Sequence, residues 1–172
     1  MTEYLRNKQV YLSGAIEFDT GDNWRVEPVK MLRERFGLDV FDPFADPKQN
    51  WVPEILKARE ERNYDFLFKK AKDFVRKDLS TVDESQMLIA YLPYKVPTTG
   101  TVHEIINSNN AKKPTLLVTN MNDISYLPIW YFGFIRPEFM FPNWEALYNY
   151  LDEVNQGLHR HNNRWSRIYG DI

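Results

Sequence analysis

Apolar residues in this chain gather into four short continuous runs, and the stretches between them carry a helical period. The runs are KQVYLSG (Lys8 to Gly14), LDVFDP (Leu38 to Pro43), QMLIAYLP (Gln86 to Pro93) and PTLLVTN (Pro114 to Asn120). Each is bounded by glycine, proline or asparagine, which predicts strands. QMLIAYL and TLLV have no polar residue at alternate positions. Strands of that kind are buried on both faces, as in a parallel sheet.

The intervening stretches predict helices. In GDNWRVEPVKMLRERFG, Asp22 or Asn23 suits a cap, Pro28 the first turn and Gly37 the end. Val29, Leu32 and Phe36 then share one face. Residues 52–84 form a charged, mostly helical stretch with a break near Asn63. GTVHEIINSNNA reads as a helix starting near Thr101, and NWEALYNYLDEV as one opened by Asn143. The residues after Gly157 show no clear period. The pattern therefore predicts one α/β domain over residues 1–157, with a mainly parallel sheet flanked by helices, and a C-terminal tail at 158–172.

In such sheets ligands sit beyond the carboxyl ends of the strands. Four loops are selected: SGAIEFDTGDNWR, DPFADPKQNW, LPYKVPTTGTVHE and TNMNDISY. In the first, Gly14 lets the backbone approach a ligand, flanked by Ser13 and Ala15. Glu17, Asp19, Asp22, Trp24 and Arg25 supply side chains. In the second, Asp42 either punctuates the strand with Pro43 or hydrogen-bonds a sugar hydroxyl. Asp78 and Asp83 lie five apart and so do not pair on one helix face.

Thr101 and Glu104 fit the S/T-x-x-E capping box, so local sequence alone makes Glu104 a cap. Position points the other way. Gly100, Thr101 and Glu104 fall in the first turn of a helix after a central strand, where a ligand meets the positive end of the dipole.

Composition narrows the classes. With 43% hydrophobic and 15% aromatic residues the chain can bury a core. A net charge of -2 argues against a nucleic acid polymer as partner. The absence of cysteine excludes disulfides, thiolate catalysis and cysteine-held zinc. No apolar run approaches the roughly 20 residues of a membrane span, and MTEYLRNKQ lacks the apolar core of a signal peptide. A cytoplasmic protein without a membrane association is expected. GxGxxG, GxxxxGK[ST] and GxSxG are all missing. His103 stands alone, and His159 and His161 match no metal motif, so neither a metal nor an organic cofactor is expected. The aromatics Trp130, Tyr131, Phe132, Phe134, Phe139 and Phe141 suit core or a subunit interface, with stacking on a base as the alternative.

The succession VYLSGAIEF, VFDP, KDLSTVDESQMLIAYLP, GTVHEI and KKPTLLV resembles the nucleoside 2-deoxyribosyltransferase family over Val10 to Asn120. Related deoxynucleoside 5′-monophosphate N-glycosidases share that fold. The resemblance implies a flavodoxin-like (Rossmann-like) domain that cleaves the N-glycosidic bond of a 2′-deoxynucleoside and transfers the deoxyribosyl group to another base. It implies Glu104 as nucleophile, Tyr11 as the residue that orients it, and Asp78, opening a helix, as the contact on the base side. Ser13, Gly14 and Ala15 would line the sugar or phosphate end. Trp24, Arg25, Asp42, Gly100 and Thr101 complete the expected substrate contacts, with Arg25 meeting a phosphate.

The implied partners are a deoxynucleoside or deoxynucleotide and a free nucleobase. A homo-oligomer is also implied, with each site completed by a neighbouring subunit, and the stretch from Ile129 to Phe141 is the expected contact. Two positions depart from the family: Gln86 stands where an aspartate is common, and no acidic residue lies near Thr98. Hydrolysis of a deoxynucleoside 5′-monophosphate and non-catalytic nucleotide binding are the alternative functions.

Overall fold

Chain order and spatial order differ in the sheet, and that difference places the site. The computed structural model describes residues 3–16 and 23–170. Its strands are β1 (Gln9–Gly14), β2 (Asp39–Phe41), β3 (Met87–Tyr91), β4 (Thr115–Val118) and β5 (Met140–Phe141). They lie in the order β2-β1-β3-β4-β5, and every pairing is parallel. This is the flavodoxin-like order. The chain turns outward from β1 to β2, then crosses back to β3, so the strand order reverses between β1 and β3. A crevice opens at such a reversal. Here it lies beside Ser13 and Gly14, which are in register with Ala90 and Tyr91.

The helices are α1 (Val26–Phe36), α2 (Val52–Glu60), α3 (Tyr64–Glu84), α4 (Thr99–Asn110), α5 (Ile129–Phe132), α6 (Trp144–Asn155) and α7 (Ser166–Tyr169). The break expected near Asn63 separates α2 from α3, and Asn63 Oδ1 accepts the Phe66 N–H at 3.2 Å as the cap of α3. Asn143 caps α6 in the same way. Gly37 ends α1 at a left-handed φ of 66°, a conformation that favours glycine. Asn23 does not cap α1: its side chain accepts the Arg25 N–H, one step before the helix. Asp22 lies outside the described residues.

Buried side chains from all five strands form one core with Leu32 and Phe36 of α1, Ile105 of α4, and Leu147, Leu151 and Val154 of α6. The C-terminal residues join it. Trp165 is fully buried and donates its indole N–H to Tyr150 Oη at 3.0 Å. Tyr169 donates to the Val154 carbonyl at 3.0 Å. Among the described residues no helix is long and apolar enough to cross a membrane.

Candidate active site

Side chains two apart on a strand share a face, and this puts Tyr11 and Ser13 of β1 side by side against α4. Both reach the same carboxylate. Tyr11 Oη donates to Glu104 Oε1 at 2.7 Å, and Ser13 Oγ donates to Glu104 Oε2. Each carboxylate oxygen therefore has one hydroxyl donor, and Glu104 is only 8% exposed.

The capping box is not formed. Helix α4 begins at Thr99 after Thr98, two residues earlier than the sequence predicts, and its first residues carry no side-chain cap. Glu104 thus lies in the second turn, with its carboxylate turned toward β1 rather than its own backbone.

The electrostatics of Glu104 are a contest. Burial pushes its pKa up. The Ser13 and Tyr11 hydroxyls pull it down, the Asp78 charge pushes it up, and the Lys48 ammonium pulls it down. The net direction is upward. The Tyr11 phenol is driven far above its ordinary value, first by burial and then by the Glu104 and Asp78 charges, so it remains a donor.

Asp78 belongs to the interior of the 21-residue helix α3, not to a helix start as the resemblance implies. It is ion-paired with Lys48. Lys48 is itself buried, and its backbone N–H is accepted by Asp46 Oδ1 at 2.9 Å. Asp46 in turn binds Lys77 Nζ at 2.8 Å. Burial alone would raise the Asp46 pKa, but the Lys77 hydrogen bond, the Lys48 N–H and both ammonium charges hold it below the usual range. Because Lys77 and Asp78 are neighbours on α3, one helix supplies a cation and an anion to the second loop.

These groups border a cavity of ≈ 510 Å³, within the usual range for small-molecule sites. Gly14 and Ala15 form one side, and Thr98 to Thr101, at the start of α4, another. Glu104, Asp78 and Lys48 stand at the polar end, while Ile55, Leu56, Leu67, Phe74 and Val75 of α2 and α3 make an apolar wall. Tyr11 and Ser13 sit behind Glu104. Of the predicted site residues, the structure thus brings together Glu104, Tyr11, Asp78, Ser13, Gly14, Ala15, Gly100 and Thr101.

Three others are placed differently. Arg25 is 2% exposed, and its guanidinium turns inward. Nη1 donates to the Leu12 carbonyl at 2.9 Å and to Asp42 Oδ1 at 3.1 Å, and Nη2 donates to the Gly14 carbonyl at 2.9 Å. Its planar fork matches carbonyls at the end of β1, so it braces the strand instead of reaching a phosphate. Asp42 is held by Arg25 and by the Phe44 N–H. Trp24 packs against Tyr91 and Trp144. A Cβ on Gly14 would overlap its ring, which is why glycine is needed there. Glu17, Asp19 and Asp22 lie outside the described residues.

Gln86 is not in the site. It stands at the amino end of β3, where its side-chain oxygen accepts the Gln9 N–H at 2.6 Å. That departure from the family pattern bears on strand pairing. Lys48 is the residue the sequence reading misses. The repeated Asp-Pro of DPFADPKQN was its signal: Asp42 and Asp46 each cap a short 3-10 turn, at Pro43–Ala45 and Pro47–Trp51, and the second turn carries Lys48 into the cavity.

A solved structure of similar shape is that of a 2-deoxyribosyltransferase from the psychrotolerant bacterium Bacillus psychrosaccharolyticus. The two share 19% identity over 83% of this chain and 91% of that one, with a TM-score of 0.58. The fold is that of a 2-deoxyribosyltransferase. No protein-family model matches the sequence, and no curated protein does.

Proposed function

We propose that this protein is a nucleoside 2-deoxyribosyltransferase with Glu104 as its nucleophile. One observation carries the reading: a buried carboxylate, gripped by a tyrosine and a serine hydroxyl, faces a cavity at the switch point of the sheet. A carboxylate whose two oxygens are each fixed by a hydroxyl is equipped for attack on an electrophilic carbon.

Glu104 attacks the anomeric carbon of a 2′-deoxynucleoside. A C–O bond forms as the C–N bond breaks, and its electron pair leaves on the base. The product is a glycosyl-enzyme ester, as in retaining glycosidases. The oxocarbenium-like transition state gains from the negative charge beside it. Asp78, or a water it holds, manages the proton of the departing base. Attack by a second base at the anomeric carbon breaks the C–O ester bond and returns Glu104 as the carboxylate. The N–H proton of the incoming base passes to Asp78 or its water, replacing the one that left with the first base. Tyr11 and Ser13 fix the attacking oxygens and partly offset the burial that raises the Glu104 pKa.

The inward-facing Arg25 and the pairing of Lys48 with Asp78 favour a nucleoside over its 5′-monophosphate. The monophosphate hydrolase is the second reading.

One assay separates them. The protein is incubated with a 2′-deoxynucleoside or its 5′-monophosphate, with and without a second free base, and products are resolved by chromatography. Base exchange that requires the acceptor supports the transferase. Free deoxyribose, or its 5-phosphate, with or without acceptor supports the hydrolase. Binding without turnover removes both.

A further inference from the structure

A second cavity, of ≈ 430 Å³, lies at the opposite, amino-terminal edge of the sheet. It forms where α4 gives way to β4, against residues 134–139 before β5 and residues 162–164. Lys112, Lys113, Arg136 and Arg164 line it, and among the described residues no aspartate or glutamate does. Among the described residues none of the four is in an ion pair. Glu138, close by in sequence, instead accepts from Asn162 Nδ2 at 2.8 Å.

Two of the cations are built into the wall. Lys113 is buried and donates to the Val82 and Asp83 carbonyls at the end of α3. Arg164 donates through Nη1 to the Asn109 carbonyl at 3.0 Å and, more weakly, to the Lys113 carbonyl. Among the described residues, Nη2 and Nε of Arg164 make no hydrogen bond. Arg136 and Lys112 are exposed at the mouth. Burial and the Arg136 charge make Arg164 harder to keep protonated. Like charges gathered in a partly buried hollow repel one another, and the repulsion is strongest where water is excluded.

We propose that this cavity is a binding site for a small phosphorylated ligand, with the phosphate held by Arg136, Arg164 and Lys112. Guanidinium forks match phosphate oxygens in pairs. Three cations with no carboxylate call for more than one negative charge, which a phosphate supplies and a single carboxylate does not. The cavity exceeds the size of a lone phosphate, and the half-buried ring of Phe134 in its wall gives an attached base a face to stack on. The site is at the other end of the sheet from Glu104, and the inference does not depend on the function proposed there.

The test is titration calorimetry of the whole protein with inorganic pyrophosphate, a nucleoside 5′-monophosphate and the corresponding nucleoside. The probes are run on wild type and on the Lys112→Glu/Arg136→Glu variant, whose changes lie at exposed positions. Pyrophosphate is expected to bind wild type and to weaken about tenfold or more in the variant, the scale of a lost charge-assisted contact. Circular dichroism and deoxynucleoside turnover should not change. Tighter binding of the monophosphate than of pyrophosphate, lost in the same variant, identifies a nucleotide as the ligand. The reverse order identifies a free phosphate. No heat with either anion at millimolar concentration, or binding that the variant leaves intact, overturns the proposal.

Discussion

Tyr11 and Glu104, 93 residues apart in the chain, meet in a 2.7 Å hydrogen bond inside the protein. The phenol donates, the carboxylate accepts, and neither group has an ordinary pKa: both are shifted upward, chiefly by burial. Tyr11→Phe removes a donor to a charged group, worth about 1.5–3 kcal/mol. Turnover should fall by about tenfold to a hundredfold. Ser13→Ala should act in the same direction. Steady-state kinetics on both variants, with circular dichroism to confirm folding, checks this. Wild-type rates in both would remove the orienting role.

The raised pKa of Glu104 has two pH signatures. A nucleophile must be ionised, so the acid limb of kcat/KM should lie above the ordinary glutamate value of about 4.3. Stability runs the opposite way. A carboxyl whose folded pKa is raised favours the fold while protonated and loses that contribution as pH rises through the folded value. Glu104→Gln, which cannot ionise, should abolish turnover yet gain in Tm relative to wild type as pH increases. Thermal melts across pH 4 to 8 (roughly the span covering such a shift) test the sign. A Tm difference that shrinks with rising pH would contradict it.

Lys48 neutralises Asp78 and helps keep Glu104 charged. Lys48→Met leaves Asp78 without its partner, at a cost of about 1–3 kcal/mol. The acid limb of activity should also move to higher pH, because one of the groups that lower the Glu104 pKa is gone. Urea denaturation and a pH–rate profile read the two effects separately. An unmoved acid limb would confine Lys48 to a structural role.

Gly14→Ala forces a methyl group against the packed Trp24 ring. Overpacking of this kind costs about 1–3 kcal/mol. The displaced wall borders the cavity, so KM should rise as Tm falls. Gly100→Ala is the control for stability alone, read by Tm, since a Cβ there meets no protein atom within 4 Å. Equal losses of Tm in the two variants would argue against the Trp24 contact.

Ile129 and Trp130 are 84% and 77% exposed, a prominent apolar pair for a protein surface. They are proposed to contact a second copy of the chain. Light scattering should give a mass above 20.6 kDa that drops with Trp130→Asp. A monomer at every concentration removes the contact.

The sheet was legible because strands buried on both faces are continuous apolar runs. Four of the five strands stand out in that way. Met140–Phe141 does not, since two residues carry no period and sit within an aromatic stretch that reads equally as core or interface. The start of α4 was obscured by a good false signal: Thr101 and Glu104 have capping-box spacing, but the helix already runs from Thr99. Arg25 shows what local sequence cannot convey. A cation in a polar loop looks solvent-facing until the fold supplies carbonyls for it. Lys48 was hidden because its importance arises from a partner 30 residues away.

Helix α3 presents Leu67, Ala71, Phe74 and Asp78 to the cavity at intervals of three and four residues, while the attacking carboxylate and its two hydroxyls belong to α4 and β1. Under the proposed reaction, the apolar positions Leu67, Ala71 and Phe74 bear on ligand choice alone, while Asp78 on the same face also takes part in bond cleavage. Substitutions at Leu67, Ala71 and Phe74 can then enlarge or shrink the seat of the base without touching Glu104 or the groups that set its charge. A change of base preference can then be inherited as a change in one helix.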